Sequence, residues 1–499
     1  MPLWCKILIA IWIITPIFVY YIIPSIFIYL KDKKRLKYRQ FLENLKLTNH
    51  FNNDDKLAKL DLQQFGDEFS NKEIIIIVLG DLGHSPRMLN HVSSFLKLGY
   101  RVKLCGYLES DIEFNLFNGE DEDGNEYRSN LSISEIKVIK NDFKLPYIIF
   151  GILKILIQIF ELIKLLVGLI SEETRYILIQ NPPSIPLLFI ICLLKYVKYP
   201  FLNLIIDWHN LNFTILNLRF KNEEHIVIRF LKNYEKYLSF KFSDLNLTVS
   251  SKLKEFLINE FKINEDKIVV VYDKPIKQIF KTLTIGDEDS ERLDIINSHQ
   301  EIFVNGFDIG KDKILITSTS FTEDEDFDLL IKSLINLEKY LQDSNYTGRI
   351  YMVITGKGPK RDYYMNLIKQ ETSFKKIIVK NVWLKIEEYP KLLKISDLGI
   401  SLHYSSSGLD LPMKIVDLFG CGIPVISMNF PSISELVEDN VNGLILKDNH
   451  SDIELFEKIK SLIIDSDTKL YDKLKTNCLI ASEKNWDDEW TSKLSKRLI

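Results

Sequence analysis

Two series of short apolar runs, each alternating with helix-length stretches, constrain this chain more than any other feature. The first series opens with Glu73–Leu79 (EIIIIVL), an unbroken apolar run of the kind that forms a strand buried on both faces. Further strands are predicted at Arg101–Tyr107, Glu135–Ile139, Tyr176–Gln180, Leu202–Asp207, Leu245–Val249 and Ile268–Tyr272. The second series runs Lys313–Ser318, Arg349–Thr355, Lys376–Val379, Leu398–His403, Val425–Met428 and Gly443–Leu446. Strands that alternate with helices form parallel sheets covered on both faces. The expected fold class is therefore α/β, with two doubly wound domains facing a cleft. They are placed at residues 72–280 and 311–465. The charged stretch 281–310 lacks clear periodicity and is read as a linker, and 466–499 as helices packing back toward the first domain.

Ile7–Leu30 is 24 residues without a charge, long enough to cross a hydrocarbon core. It has no small-residue cleavage site, so residues 1–30 read as an uncleaved anchor rather than a signal peptide. Lys31, Lys33, Lys34, Arg35, Lys37 and Arg39 follow, against Lys6 alone in front. The positive-inside rule then puts the bulk of the chain in the cytosol, with 31–71 a basic stalk. A second apolar block, residues 146–170, carries Lys154, Gln158, Glu161 and Lys164 at spacings of 4, 3 and 3, one stripe of a helix. Charges near the centre of a span cost on the order of 2.5–3.5 kcal/mol each. A helix lying in the membrane interface is expected, with a buried core helix and a second span as alternatives. Lys and Arg number 64 against 68 Asp and Glu, so no basic field points to nucleic acid. The five cysteines, at 5, 105, 192, 421 and 478, lack ligand spacing, which indicates reduced thiols and no Cys/His metal site.

Chemistry-bearing residues gather where the strands end. The run Asp397–His403 leads into a small-residue loop, Ser405–Gly408, and then a helix carrying Lys414 and Asp417. Such a loop and first helical turn expose unpaired N–H groups, and the dipole there favours negative charge. Lys414 adds a cation and Asp417 a carboxylate able to hold sugar hydroxyls. The combination suits a nucleotide-sugar diphosphate, the alternative being a plain helix on a parallel sheet. Thr355–Pro359 (TGKGP) is no P-loop, yet Gly356 and Gly358 allow close backbone approach to a base or phosphate. The acids Glu323–Asp326 read mostly as helix-starting chemistry. In the first series Asp81, His84 and Arg87 cluster at the end of the first strand. Asn181, Asp207, His209 and Asn210 end later strands of that sheet, on the rim where α/β sheets bind ligands. A histidine on such a loop is equally a surface or capping residue.

Gly80–Met88 (GDLGHSPRM), Gln180–Pro183 (QNPP), Asp207–Asn210 (DWHN), Val271–Pro275 (VYDKP), Ser318–Phe327, Thr355–Pro359 and Ser405–Met413 occur in this order. Together they resemble the chitobiosyldiphosphodolichol β-mannosyltransferase family, from the apolar N-terminus to about Trp490. The resemblance implies a GT-B fold of two Rossmann-like domains. It implies GDP-mannose bound by the second domain and GlcNAc2-diphosphodolichol by the first. Transfer would form a β1,4 linkage with inversion on the cytosolic face of the endoplasmic reticulum membrane, the chain being single-pass. On this reading the catalytic candidates are Asp81, His209 and His84. Asp81 ranks first, because a carboxylate both takes a proton and faces developing positive charge. Donor diphosphate contacts fall to Lys414, Asp417, Ser406, Ser407, Gly408, Gly356, Gly358 and Asp410, and acceptor-side contacts to Arg87, Asn181, Asp207 and Asn210. No cofactor and no protein-bound catalytic metal is expected, a divalent ion being at most stimulatory. Other early mannosyltransferases of the dolichol pathway are partner candidates. One departure stands out: retaining GT-B families carry Glu-x7-Glu here, whereas Asp417 fills the second position, Leu409 the first, and Asp410 lies one residue on. The rival readings are a GT-B transferase with another sugar nucleotide or isoprenoid acceptor, and a catalytically dead membrane scaffold.

Overall fold

The computed structural model describes residues 72–498 apart from 113–116, 120–125, 142–143, 145, 172, 201, 277–278, 281, 284–285, 305, 323–324, 372, 386 and 466–467. The expected anchor 1–30 and stalk 31–71 lie outside the described residues. The first series folds as β1 (Glu73–Asp81), α1 (Pro86–Lys97), β2 (Arg101–Tyr107), β3 (Leu131–Glu135), α2 (Tyr147–Leu169), β4 (Thr174–Asn181), α3 (Leu187–Val197), β5 (Asn203–Trp208), α4 (Asn212–Phe220), α5 (Ile226–Phe242), β6 (Leu245–Thr248), α6 (Ser251–Asn259) and β7 (Ile268–Val270). After α7 (Glu288–Ser298), the second runs β8 (Lys313–Thr319), α8 (Phe327–Asp343), β9 (Ile350–Gly356), α9 (Arg361–Gln370), β10 (Ile377–Val382), α10 (Tyr389–Lys394), β11 (Leu398–Ser401), α11 (Met413–Gly420), β12 (Val425–Ser427), β13 (Gly443–Ile445), α12 (Asp452–Ile463), α13 (Thr468–Ala481) and α14 (Trp486–Leu494).

Strand order is β3-β2-β1-β4-β5-β6-β7 in the first sheet and β10-β9-β8-β11-β12-β13 in the second. In each, the first strand of the series lies centrally and the chain reverses direction of travel between it and the fourth. That reversal opens a crevice at the carboxyl ends of β1 and β4, and again at those of β8 and β11. The central strands are parallel, with Ile74 opposite both Val102 and Tyr176, and Leu315 opposite Met352 and Leu398. Ile74–Val78 are wholly buried, each worth roughly 1.5–3 kcal/mol of gross burial. This explains why β1 was so legible as an apolar run. The chain divides into two compact units, one ending at Asp207 and also taking Tyr234–Asn246, the other formed by Trp208–Asn233 and Leu247–Ile499.

Two local readings are corrected. The third strand was expected at Glu135–Ile139 and lies at Leu131–Glu135. It is an edge strand with little burial, so its residues carry no apolar signal. The stretch read as a linker, 281–310, holds α7, pinned by Arg292 to Asp397 at 2.7 Å and by Lys394 to Glu291. Ion pairs hold this helix with Ile296 as its buried side chain, so apolar periodicity was absent. For 146–170, where an interface helix is expected, among the described residues no helix is long and apolar enough to cross a membrane, and α2 is buried along one stripe only. It turns Gln158, Leu162 and Leu166 inward, with Gln158 hydrogen-bonded to Tyr107 at 3.0 Å. Leu156 and Phe160 are 58% and 66% exposed.

Candidate active site

In the first unit, Asp81 ends β1 and its carboxylate organises the loop beyond it. Oδ1 accepts from the backbone N–H groups of Glu109 and Ser110, each at 3.1 Å. Oδ2 accepts from the Ser110 hydroxyl and from His84 Nδ1 at 2.6 Å. Burial raises the carboxyl pKa, but these hydrogen bonds from Ser110, His84 and Glu109 outweigh it and the net pKa lies below the usual value. A carboxylate so held is a weak base. His84, 56% exposed, is instead the group that faces solvent with its Nδ1 side oriented by Asp81. Ser110, 29 residues downstream of Asp81, had no signal in the sequence.

The other rim residues of this unit are less available. Arg87 and Asp207, expected on the acceptor side, are 1% and 0% exposed and bind each other in a two-pronged pair at 2.8 and 2.9 Å. His91 adds a third contact to Asp207 at 3.2 Å. Asp207 sits on β5 and Arg87 on α1, so the pair ties helix to sheet and neither group reaches a surface ligand; the acceptor-side reading of both is corrected. Asn181 is also buried and donates to Glu235 at 3.0 Å.

The second unit gathers the donor candidates at the ends of β8 and β11. Lys414, in the first turn of α11, donates to Glu325 Oε1 at 2.6 Å. Glu325 is 2% exposed, and its Oε2 accepts from the Ser320 N–H at 2.9 Å and from the Thr319 hydroxyl. The sequence placed Glu325 among helix-starting acids. Among the described residues of that run, Asp326 plays that part, as N-cap of α8. Glu325 and Lys414 lie 89 residues apart, and nothing local announces their pairing.

Asp410 is the hub of the next loop. It accepts from Ser405, from His403 Nε2 at 3.1 Å and from Asn210 at 3.1 Å. Asn210 and Thr214 also meet the Ser406 hydroxyl, at 3.3 and 3.2 Å. Asn210, expected on the acceptor side, thus holds the serine loop. The Gly408 N–H turns inward onto Ser405 Oγ at 2.8 Å, and Ser407 Oγ accepts from Leu409 at 3.1 Å. Among the described residues, that leaves the uncapped N-terminus of α11 beside Lys414 as the better anion cradle. His209 is half-buried just beyond β5.

Three donor candidates have other work. A Cβ at Gly356 or Gly358 would stand 1.8 Å from Thr319 O or 1.7 Å from Ser320 O. The close backbone approach expected toward a base or phosphate is made to the β8 loop. Asp417 points at Tyr389 and lies near Asp273. Desolvation, then the Asp273 charge, push its carboxyl up to about 8 despite the Tyr389 hydrogen bond. Such a group is neutral at pH 7 and is not the carboxylate imagined for sugar hydroxyls. Among the described residues, no group of three or more His, Cys, Asp or Glu stands together as a metal site.

Comparison with known proteins places this geometry. A family profile described as glycosyl transferases group 1 matches residues 299–478. Among curated proteins, the chitobiosyldiphosphodolichol β-mannosyltransferase of Debaryomyces hansenii is 46% identical over 85% of this chain and 87% of its own. That of Candida albicans is 40% identical over 99% of this chain and 94% of its own, and the human one 32% over 84% and 91%. Among solved structures, Anabaena HepE in complex with UDP and glucose superposes with a TM-score of 0.59 at 16% identity, covering 86% of this chain and 99% of its own. A Rickettsia africae glycosyltransferase gives 0.57 at 18%, covering 86% and 97%. At such identities these two show the fold, which is GT-B.

Proposed function

The chain belongs to the chitobiosyldiphosphodolichol β-mannosyltransferase family, and on that premise we propose that it transfers mannose from GDP-mannose to GlcNAc2-diphosphodolichol. The linkage is β1,4 and forms with inversion, in a single in-line displacement. The observation that carries the reading is the resemblance itself, 40% identity over 99% of the chain, with Lys414 and the α11 N-terminus at the β8/β11 crevice. There a developing negative charge on the departing diphosphate meets a cation and oriented N–H groups. Glu325 keeps that lysine in place. Because Glu325 is turned onto Lys414, Thr319 and Ser320, it is not offered to a metal, and the reading includes no protein-bound catalytic metal.

His84 takes the proton from the acceptor hydroxyl, with Asp81 holding its ring. This departs from the ranking of Asp81 first, for the reason given by its saturated carboxylate. The decisive test incubates the detergent-solubilised chain with GDP-mannose and phytanyl-diphosphate chitobiose. The expected product is a β1,4-mannoside; transfer from a different sugar nucleotide, or none, would refute the reading.

The proposal extends to the cytosolic face of the endoplasmic reticulum, with the chain anchored through residues 1–30 and touching lipid through α2. The support is the exposure of Leu156 and Phe160 while Gln158 faces inward, an arrangement suited to apolar surroundings. In a chain lacking residues 1–30, Leu156→Asp with Phe160→Asp is expected to abolish flotation with liposomes. Unchanged flotation would remove α2 from the membrane.

A further inference from the structure

A cavity of about 550 Å³ in the second unit is lined by Leu218, Arg219, Lys221 and Lys360. Among the described residues, none of the three charged groups has an ion-pair or hydrogen-bond partner. The contrast with neighbouring cations is direct: Arg229 pairs with Glu224, and Arg361 with Asp362. Three like charges around one hollow repel one another, and an anion entering it relieves that repulsion.

Local structure explains how they converge. α4 ends at Phe220, and Lys221 caps it in the left-handed conformation with φ 49°. This turns the chain so that Arg219 and Lys221 stand on the same corner. Lys360 precedes α9, whose N-terminus has no side-chain cap; the Arg361 N–H turns back onto Gly358 O at 3.2 Å, and Asp362 in the first turn is paired with Arg361, so the cations rather than the helix end supply the attraction. The α4–α5 turn itself is polar, Lys221-Asn-Glu-Glu-His225, but the helix ends on either side of it present open apolar side chains: Phe220, Ile226 and Phe230 are 39%, 78% and 63% exposed. Charge complementarity with an adjoining apolar strip describes an amphiphile, with phosphates at one end and hydrocarbon at the other. A nucleotide sugar has no hydrocarbon to place there.

We propose that this cavity receives the diphosphate of the lipid-linked acceptor, with the isoprenoid chain leaving along Phe220, Ile226 and Phe230. The assignment rests on the acceptor class proposed above. A diphosphate diester carries two negative charges, which three cations over-match, and Lys414 is not among the residues that line the cavity. Arg219, Lys221 and Lys360 are thereby binding residues for the acceptor.

The test is equilibrium binding of tritiated phytanyl-diphosphate chitobiose to the full-length chain in detergent, read without turnover. Arg219→Ala, Lys221→Ala and Lys360→Ala are each expected to weaken binding by about ten-fold, one charge-assisted contact apiece, and the triple variant to abolish it. GDP-mannose affinity should stay within about two-fold of the parent, and farnesyl diphosphate should displace the lipid at least about ten-fold better than inorganic pyrophosphate. Parallel loss of GDP-mannose affinity would make the cavity a donor site. Unchanged lipid binding would reduce the three to solvated cations, and equal competition by pyrophosphate would remove the lipid. Each of these overturns the proposal. Lys221→Gln, which keeps side-chain bulk, repeats the measurement should an alanine variant melt early. Failure of the parent chain to transfer mannose would refute the proposed function while the binding result still decided the cavity.

Discussion

Replacing Lys414 by alanine separates two roles that its position combines. Its ammonium stands 2.6 Å from a Glu325 carboxylate that is 2% exposed. At an effective dielectric of about 20 that distance gives about 6 kcal/mol of gross attraction, most of it offset by taking Glu325 out of water. Alanine leaves Glu325 with Ser320 N–H and the Thr319 hydroxyl as its donors. Breaking a fully buried pair costs about 3–5 kcal/mol; with Lys414 31% exposed water reaches the gap, and about 1–3 kcal/mol is expected. The melting temperature should fall by about 2–10 °C. Turnover should fall by about 10²–10³, the usual effect of losing one donor to a developing anion. Lys414→Ala combined with Glu325→Gln removes the stranded charge, so thermal stability should return while transfer stays low. Thermal denaturation and mannose transfer on the same preparations decide it. Recovery of both in the double variant would make Lys414 a mere counter-ion and refute its part in diphosphate binding.

His84→Ala should lower kcat by about 10²–10⁴ with the GDP-mannose KM unchanged, and Asp81→Asn by less; near-normal turnover in the first would leave the pair a loop organiser. Arg87→Ala removes the two-pronged partner of Asp207, 0% exposed, and leaves it the His91 contact at 3.2 Å; this should cost about 3–5 kcal/mol in urea denaturation. A well-folded variant with only a raised acceptor KM would restore Arg87 to the acceptor side. Asp417 titrates at about 8 when folded against 3.8 unperturbed. Between these values the folded chain keeps a proton that the unfolded chain has released, so stability falls as pH rises through that window. Asp417→Asn should flatten the decline between about pH 4 and 8, and parallel denaturation curves would show that the folded carboxylate is already ionised.

The two-sheet plan is legible in the order of residues, because central parallel strands are buried on both faces and must be written as unbroken apolar runs. Ile74–Val78 and Ile350–Ile354 announce themselves in this way. That order also placed the chemistry at strand ends, since Asp81, Asn210 and Lys414 sit where glycine, proline and polar residues interrupt such runs. Family membership was legible from motif order, which survives where single positions vary. Tertiary structure alone decided which of those residues are free to act. Arg87 and Asp207 look like a binding pair in a rim motif, yet they lie 120 residues apart in sequence and meet in the core. Glu325 reads as a helix starter until the fold brings Lys414 to it across 89 residues. Asp417 keeps the same letter whether ionised or neutral; burial beside Tyr389 and Asp273 settles which. Hydrogen-bond partners and desolvation belong to positions in space, and residues far apart along a chain acquire them only when the sheets have formed.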